Sequence, residues 1–278
     1  MTQYTDSPGN PNKSWKTFYI LGGLAAILAV VFFRRFFGTE LHTFNGFGIF
    51  DVPEAMPTTA AEWFVLLQKD KFVGLALFDA VDLINYALVG LIFLALYGAL
   101  RQVNKGAMLV ATSTGLMGIA VYFASNQALS MLSLSTKYAE AASNAESGMF
   151  QAAGEALLAI HNPGSLNQGV GIYASLFFVL VAGFIISIVM LRSTVFNKAT
   201  AIVGILANGI ALFYFVALAF ALEIVWLPPS LSAPFRLIWY ILIAIKLLQL
   251  GSQANDDQQD HLGTTEMTSK QQDTSTNN

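Results

Sequence analysis

The chain has 278 residues, of which 55% are hydrophobic and only 11% charged, and its formal net charge is −3. Soluble domains carry about 25% charged residues, so this composition, with a mean hydropathy of +0.58, points to a membrane protein, and so small a net charge gives no reason to expect nucleic acid as a partner. There is no Cys, which excludes disulfides, thiolate catalysis, thiolate metal sites and S-acylation.

Residues 1–14, MTQYTDSPGNPNKS, are polar with two Pro and predict a disordered head. Lys13, Trp15 and Lys16 introduce an apolar run over 17–33 that ends in Arg34-Arg35-Phe36-Phe37. A basic flank before an apolar run can also begin a signal peptide, but no small-residue cleavage pattern follows, so an uncleaved first span is expected. Residues 38–58 hold Gly38, Gly46, Gly48, Pro53 and Pro57 and read as an irregular loop. Thr59 with Glu62 fits a capping box that starts a short helix, AAEWFVLLQK. Trp63 and Phe64 beside Lys69 and Lys71 suit a helix at the membrane interface, and equally a loop helix covering the bundle.

The second span, 72–100, is about 29 residues without Pro or a cationic residue. At ~1.5 Å per residue it exceeds a ~30 Å hydrocarbon core. It carries Asp79, Asp82, Asn85 and Tyr86. A charge within a bilayer costs roughly 2.5–3.5 kcal/mol even on the lenient insertion scale, so these residues are expected to face the protein interior or an aqueous cavity. After Arg101 a tight turn leads into a third span, 107–134. Residues 135–168 form a long acidic loop with Glu140, Glu146 and Glu155; its middle has helical apolar spacing and is closed by His161-Asn162-Pro163-Gly164. A fourth span covers 169–191 and a fifth 199–225; Trp226-Leu227-Pro228-Pro229 breaks the helix, and a sixth, shorter span covers 234–251. The polar remainder, 252–278, predicts a disordered tail. The fold expected is all-α: a polytopic membrane bundle of about six helices over 15–251, with short loop or interfacial helices.

Lys and Arg in the short loops set the orientation. Lys13, Lys16, Arg101, Lys105, Arg192 and Lys198 lie close to span ends on the side of both termini, which favours cytoplasmic termini in a prokaryotic plasma membrane. The opposite side holds Arg34, Arg35, Lys69, Lys71, Lys137 and Arg236, offset by Glu40, Asp51, Glu54, Glu62, Asp70 and the acidic loop.

Depth can be compared across helices. Asp82 lies 19 residues before Arg101 and Asn126 lies 21 after Lys105, so antiparallel second and third helices bring them to nearly one level in the outer half. On a continuous second helix Asp79, Asp82 and Tyr86 fall within about 60°. Tyr122, Asn126, Ser130 and Ser133 make a similar stripe on the third. The candidate ligand-binding set is therefore Asp79, Asp82, Tyr86, Tyr122 and Asn126. It could bind a cation, a proton or a small polar molecule, the carboxylates acting as oxygen ligands or proton carriers. Two carboxylates one helical turn apart repel, so one of them can hold a proton. The competing reading is interhelical hydrogen bonding, with Asp82 satisfied by Asn126 or Tyr122.

No metal, cofactor or catalytic residue is implied. His42, His161 and His261 are scattered, and a lone loop His is usually solvated; no Gly-x-Ser-x-Gly, His-Glu-x-x-His or Walker pattern occurs. Asn208 is expected to satisfy a neighbouring helix, Lys246 to snorkel, and Gly115 with Gly118 to permit close helix approach.

The segments Asp51-Val52-Pro53-Glu54, AEWFVLLQKDK, ALYGALRQVNK, GIAVYFASNQALSMLSLS, ISIVMLRS, TAIVGILANG and IWYILIAIKLLQLG resemble a prokaryotic six-span integral membrane family catalogued only as a domain of unknown function. The resemblance covers about 51–251, matches the third-span motif at Tyr122, Ser125 and Asn126, and departs where the family pattern carries two basic residues and this chain has Ile245-Lys246. It implies about six spans and no activity, substrate or catalytic residue. The sequence favours a structural or accessory membrane subunit, with membrane lipids, protein partners or a second copy as its contacts. The alternative is a small transporter or receptor-like binder using the outer polar patch. A water-accessible cavity reaching Asp82 would favour the binder, and a dry Asp82–Asn126 contact the scaffold.

Overall fold

The computed structural model describes residues 15–33, 53–163, 165–166 and 168–275, with side chains at 15–31 and, from 53 on, as far as Ser252. The expected head, Arg34-Arg35 and most of the first loop lie outside the described residues. Among the described residues all regular structure is helical. The helices are α1 (Lys16–Phe33), α2 (Ala60–Lys69), α3 (Lys71–Leu77), α4 (Ala80–Leu100), α5 (Lys105–Ser125), α6 (Ala128–Ala139), α7 (Asn144–Ile160), α8 (Gly169–Leu191), α9 (Lys198–Phe220) and α10 (Leu227–Ser275), with a 3₁₀ turn at Leu222–Ile224.

Among the described residues, five stretches are long and apolar enough to cross a membrane: Ala80–Leu100, Lys105–Ala139, Gly169–Leu191, Lys198–Phe220 and Leu222–Ser252. The sixth apolar helix, α1, has 18 residues, about 27 Å of rise. Contacts run α1–α4–α5–α8–α9–α10 and back to α1, closing a ring. The seam of α5 on α8 needs small residues: a Cβ on Gly118 would stand 2.9 Å from both the Phe178 Cβ and the Ser175 carbonyl oxygen. Leu28, Val110, Phe213 and Val216 point outward and are about half exposed or more. Outward apolar side chains on helices of this length are what lipid contact requires, and the chain is an integral membrane protein.

Helices α2, α3, α6 and α7 form a cap at one end of the ring, around their own core of Trp63, Phe64, Leu67, Phe78, Met131 and Leu158. The capping box at the start of α2 is present: Glu62 N–H donates to Thr59 Oγ1 at 3.3 Å, and Thr59 N–H to the Glu62 carboxylate at 3.3 Å. The Thr58 N–H and hydroxyl also donate to the Glu62 carboxylate, and with the Thr59 N–H they hold its pKa below the ordinary range. Glu155 of α7 accepts from Ala60 N–H at 2.8 Å and caps α2 a second time. Trp63 and Phe64 are fully buried in the cap core rather than anchored at an interface.

Five boundaries differ from expectation, one of them the end of the fifth span, which stops at Phe220 rather than at 225. The second span breaks at Phe78-Asp79 and the third at Asn126-Gln127. Pro228 and Pro229 do not stop the last helix; they sit in its first turn, where no intrahelical N–H is needed. That helix then continues to Ser275 through residues expected as a disordered tail, although their polar composition provides no apolar face.

Candidate functional site

The site begins at the two breaks. Phe78 closes α3, and Asp79 takes φ 66°, ψ 14°, the left-handed region. A side chain there costs roughly 1–2 kcal/mol, least for Asn and Asp, whose short polar groups bond locally. Backbone groups freed at membrane depth must find partners. The Asp79 carbonyl oxygen accepts from Asp82 N–H at 3.2 Å, from Asn126 Nδ2 at 3.0 Å and from the Tyr122 hydroxyl at 3.5 Å. Asn126 is where α5 stops, with φ −68°, ψ 129°. Its Oδ1 accepts from Ala128 N–H at 3.0 Å and so starts α6. One amide therefore ties both breaks together, at the common depth that residue counting indicated.

Inside the ring, at the cap end, lies a cavity of about 430 Å³. At ~30 Å³ per molecule that is room for about fourteen waters, at the small end of ligand pockets. Asp79, Asp82, Asn85 and Tyr86 line it from the α3–α4 side, Tyr122 from α5, Tyr173 from α8, Tyr214 from α9, and Arg236 and Tyr240 from α10. Asp82 sits in the first turn of α4, where the positive end of the helix dipole favours a carboxylate. Tyr86 and Tyr122 stack at 3.8 Å and 7°. The Asn85 Oδ1 atom is buried and has no hydrogen-bond partner.

His161 stands behind the break. It ends α7, is 2% exposed, and its ring meets Phe78 edge-on at 5.7 Å. Its Nδ1 lies 3.1 Å from the Gln168 carbonyl oxygen, and its Nε2 lies 3.4 Å from Asp79 Oδ2. The second distance is that of an ion pair rather than an aligned hydrogen bond. Burial lowers the His161 pKa, but the Asp79 carboxylate and the Gln168 carbonyl more than offset this and raise it above the ordinary histidine value. Gln168 also fixes the 161–168 loop, its Nε2 donating to the Ser165 carbonyl at 2.9 Å.

Of the five candidate residues, Asp79, Asp82, Tyr86 and Tyr122 meet at the cavity. Asn126 supports it from behind, bonded to the Asp79 carbonyl instead of to Asp82. Asp79 does not share a helix face with Asp82, since α4 begins after it. The expected stripe on the third span ends at Asn126; Ser130 and Ser133 lie exposed beyond the break. Asn208 bonds the Gly204 carbonyl of its own helix at 2.8 Å, not a neighbouring helix. His161 is buried, not solvated. The sequence reading missed Arg236, Tyr173, Tyr214 and Tyr240 as wall residues; the signal available was polar side chains near the same ends of their spans. Among the described residues no group of three metal-ligating side chains converges. No family model, curated protein or solved structure matches the chain, so nothing about its function carries over from a relative.

Proposed function

We propose that the protein is a small transporter or receptor-like binder that holds a compact polar molecule in the cavity between its spans. The observation that carries this reading is the cavity itself, which reaches both Asp79 and Asp82. Helix glue calls for a dry contact, whereas both carboxylates belong to the cavity wall. The unmet Asn85 oxygen offers an acceptor to a bound donor or to water. Two helices interrupted at one depth also support it, because irregular backbone is tolerated at membrane depth only where it is buried in protein or lines a water-filled cavity. In this reading both termini are cytoplasmic, the cap faces outward, and the membrane is a prokaryotic plasma membrane.

The absence of Cys makes the test direct. Ser232 lines the cavity and is 2% exposed. With the protein in lipid vesicles, Ser232→Cys is expected to react with a charged, membrane-impermeant thiol reagent, while Ile243→Cys, fully buried in the ring core, stays protected. Equal protection of both would return the polar patch to the scaffold reading.

A further inference from the structure

We propose that Asp79 and His161 form a proton-binding site, and that the proton they share sets the state of the helix break in the cavity wall. The inference deepens the binder reading by naming the proton as a second ligand of the same site.

The geometry restricts where the proton can be. The Gln168 carbonyl can only accept, so His161 Nδ1, 3.1 Å away, carries a hydrogen. Nε2 therefore faces the Asp79 carboxyl group at 3.4 Å either as an N–H or as a bare lone pair. Imidazolium against carboxylate is attractive, and neutral imidazole against a protonated carboxyl is acceptable. Neutral imidazole against a carboxylate sets lone pair against lone pair in a site 2% exposed at His161. The contact is thus attractive while His161 keeps its second proton and repulsive once that proton leaves. The C-terminal end of α7, which His161 caps, also favours a cation there.

Among the described residues, several other groups stand near the pair. Asp82 on α4 and Tyr122 on α5 flank Asp79, with Tyr86 stacked on Tyr122, and Arg236 on α10 lies in the same cavity wall. Glu155 on α7 is bonded to Ala60 N–H. From α2, Trp63 meets Phe78 with an uncharged ring. The 162–168 loop contains no titratable residue.

Asp79 gives the proton its consequence. It is the left-handed residue of the break, it lines the cavity, and its carbonyl receives the amide that organises the second break. Releasing the proton weakens the contact between the break and the 161–168 loop, whose Pro163, Ser165 and Gln168 also line the cavity. The folded His161 pKa lies above its ordinary value of 6.5. The stabilisation is therefore fully present below about pH 6.5 and is lost as pH rises through the folded value.

The chain has three His, so His42→Gln with His261→Gln leaves His161 as the only imidazole. In full-length protein in nanodiscs, the NMR signals of labelled His161 are expected to titrate above the ordinary range, and Asp79→Asn, which tolerates the left-handed backbone, to bring the midpoint down. A midpoint unchanged by Asp79→Asn, or a His161 that stays neutral throughout, overturns the proton site. Reagent access at Ser232→Cys is then compared at about pH 6 and about pH 9, with and without Asp79→Asn, because thiol reactivity itself rises with pH. A pH step lost in Asp79→Asn is the expected result. If His161 titrates as expected while access is the same function of pH in both, the link to the cavity is overturned and the binder reading stands. If Ser232→Cys is never labelled, the binder reading fails, and the titration alone decides the proton site.

Discussion

Asp79 does three things with one residue. It takes a backbone conformation most side chains avoid, presents a carboxylate to the cavity and to His161, and offers its carbonyl to Asn126. These roles separate by substitution. Asp79→Ala keeps a Cβ in the left-handed region without a local polar partner, whereas Asp79→Gly removes the steric penalty. Asp79→Gly is expected to retain more stability than Asp79→Ala by about 1 kcal/mol, read as the difference in detergent thermal unfolding. The opposite order would mean that backbone strain at Asp79 is not what the position stores. Asn126→Ala leaves Ala128 N–H without its acceptor and takes one of three donors from the Asp79 carbonyl, and is expected to cost roughly 1–3 kcal/mol. A drop in thermal stability no larger than at an exposed site such as Ser130 would remove Asn126 from the role of clamp.

At the level of elements, the sequence was most legible where local rules apply. Thr59 and Glu62 located the start of α2, and the apolar runs located both ends of α8, the end of α4 and, to within two residues, the starts of α5 and α9. The breaks were not legible, because neither 78–79 nor 126–127 contains Pro or Gly, and a hydropathy window averages over one turn of non-helical chain. His161 was misread because its partner is 82 positions away, and a single His gives no periodic signal. Depth counting from Arg101 and Lys105 did bring the second and third helices into correct register. The packing of these elements depends on small residues at defined places. Gly118→Ala would drive a methyl group into Phe178 and the Ser175 carbonyl oxygen, at 2.9 Å from each, and is expected to destabilise by about 1–3 kcal/mol. Gly148, on α7, has nothing within 4 Å of an added Cβ, so Gly148→Ala is expected to stabilise by about 0.5–1 kcal/mol through helix propensity. Thermal unfolding of the two variants should move in opposite directions.

For the whole molecule, the division into ring and cap is also a division of stability. The ring core centres on Phe93, Ile186, Trp239 and Ile243, and the cap core on Trp63, Phe64 and Phe78; these clusters are distinct. Hydrogen exchange is expected to show α2 and α7 opening together at lower free energy than α4 and α8. A single exchange class across both bodies would contradict that division.

The shared amide has a mechanical consequence. Two rods run from the ring into the cap, one through α4 and α3 and the other through α5 and α6, and each has its joint at the level of Asn126. Joints held by separate fastenings could flex one at a time. These share one side chain, whose nitrogen holds one rod and whose oxygen holds the other, so bending either one loads the same amide. A tilt of the cap about either joint would therefore be felt at the other, beside the cavity wall between Asp79 and Tyr122.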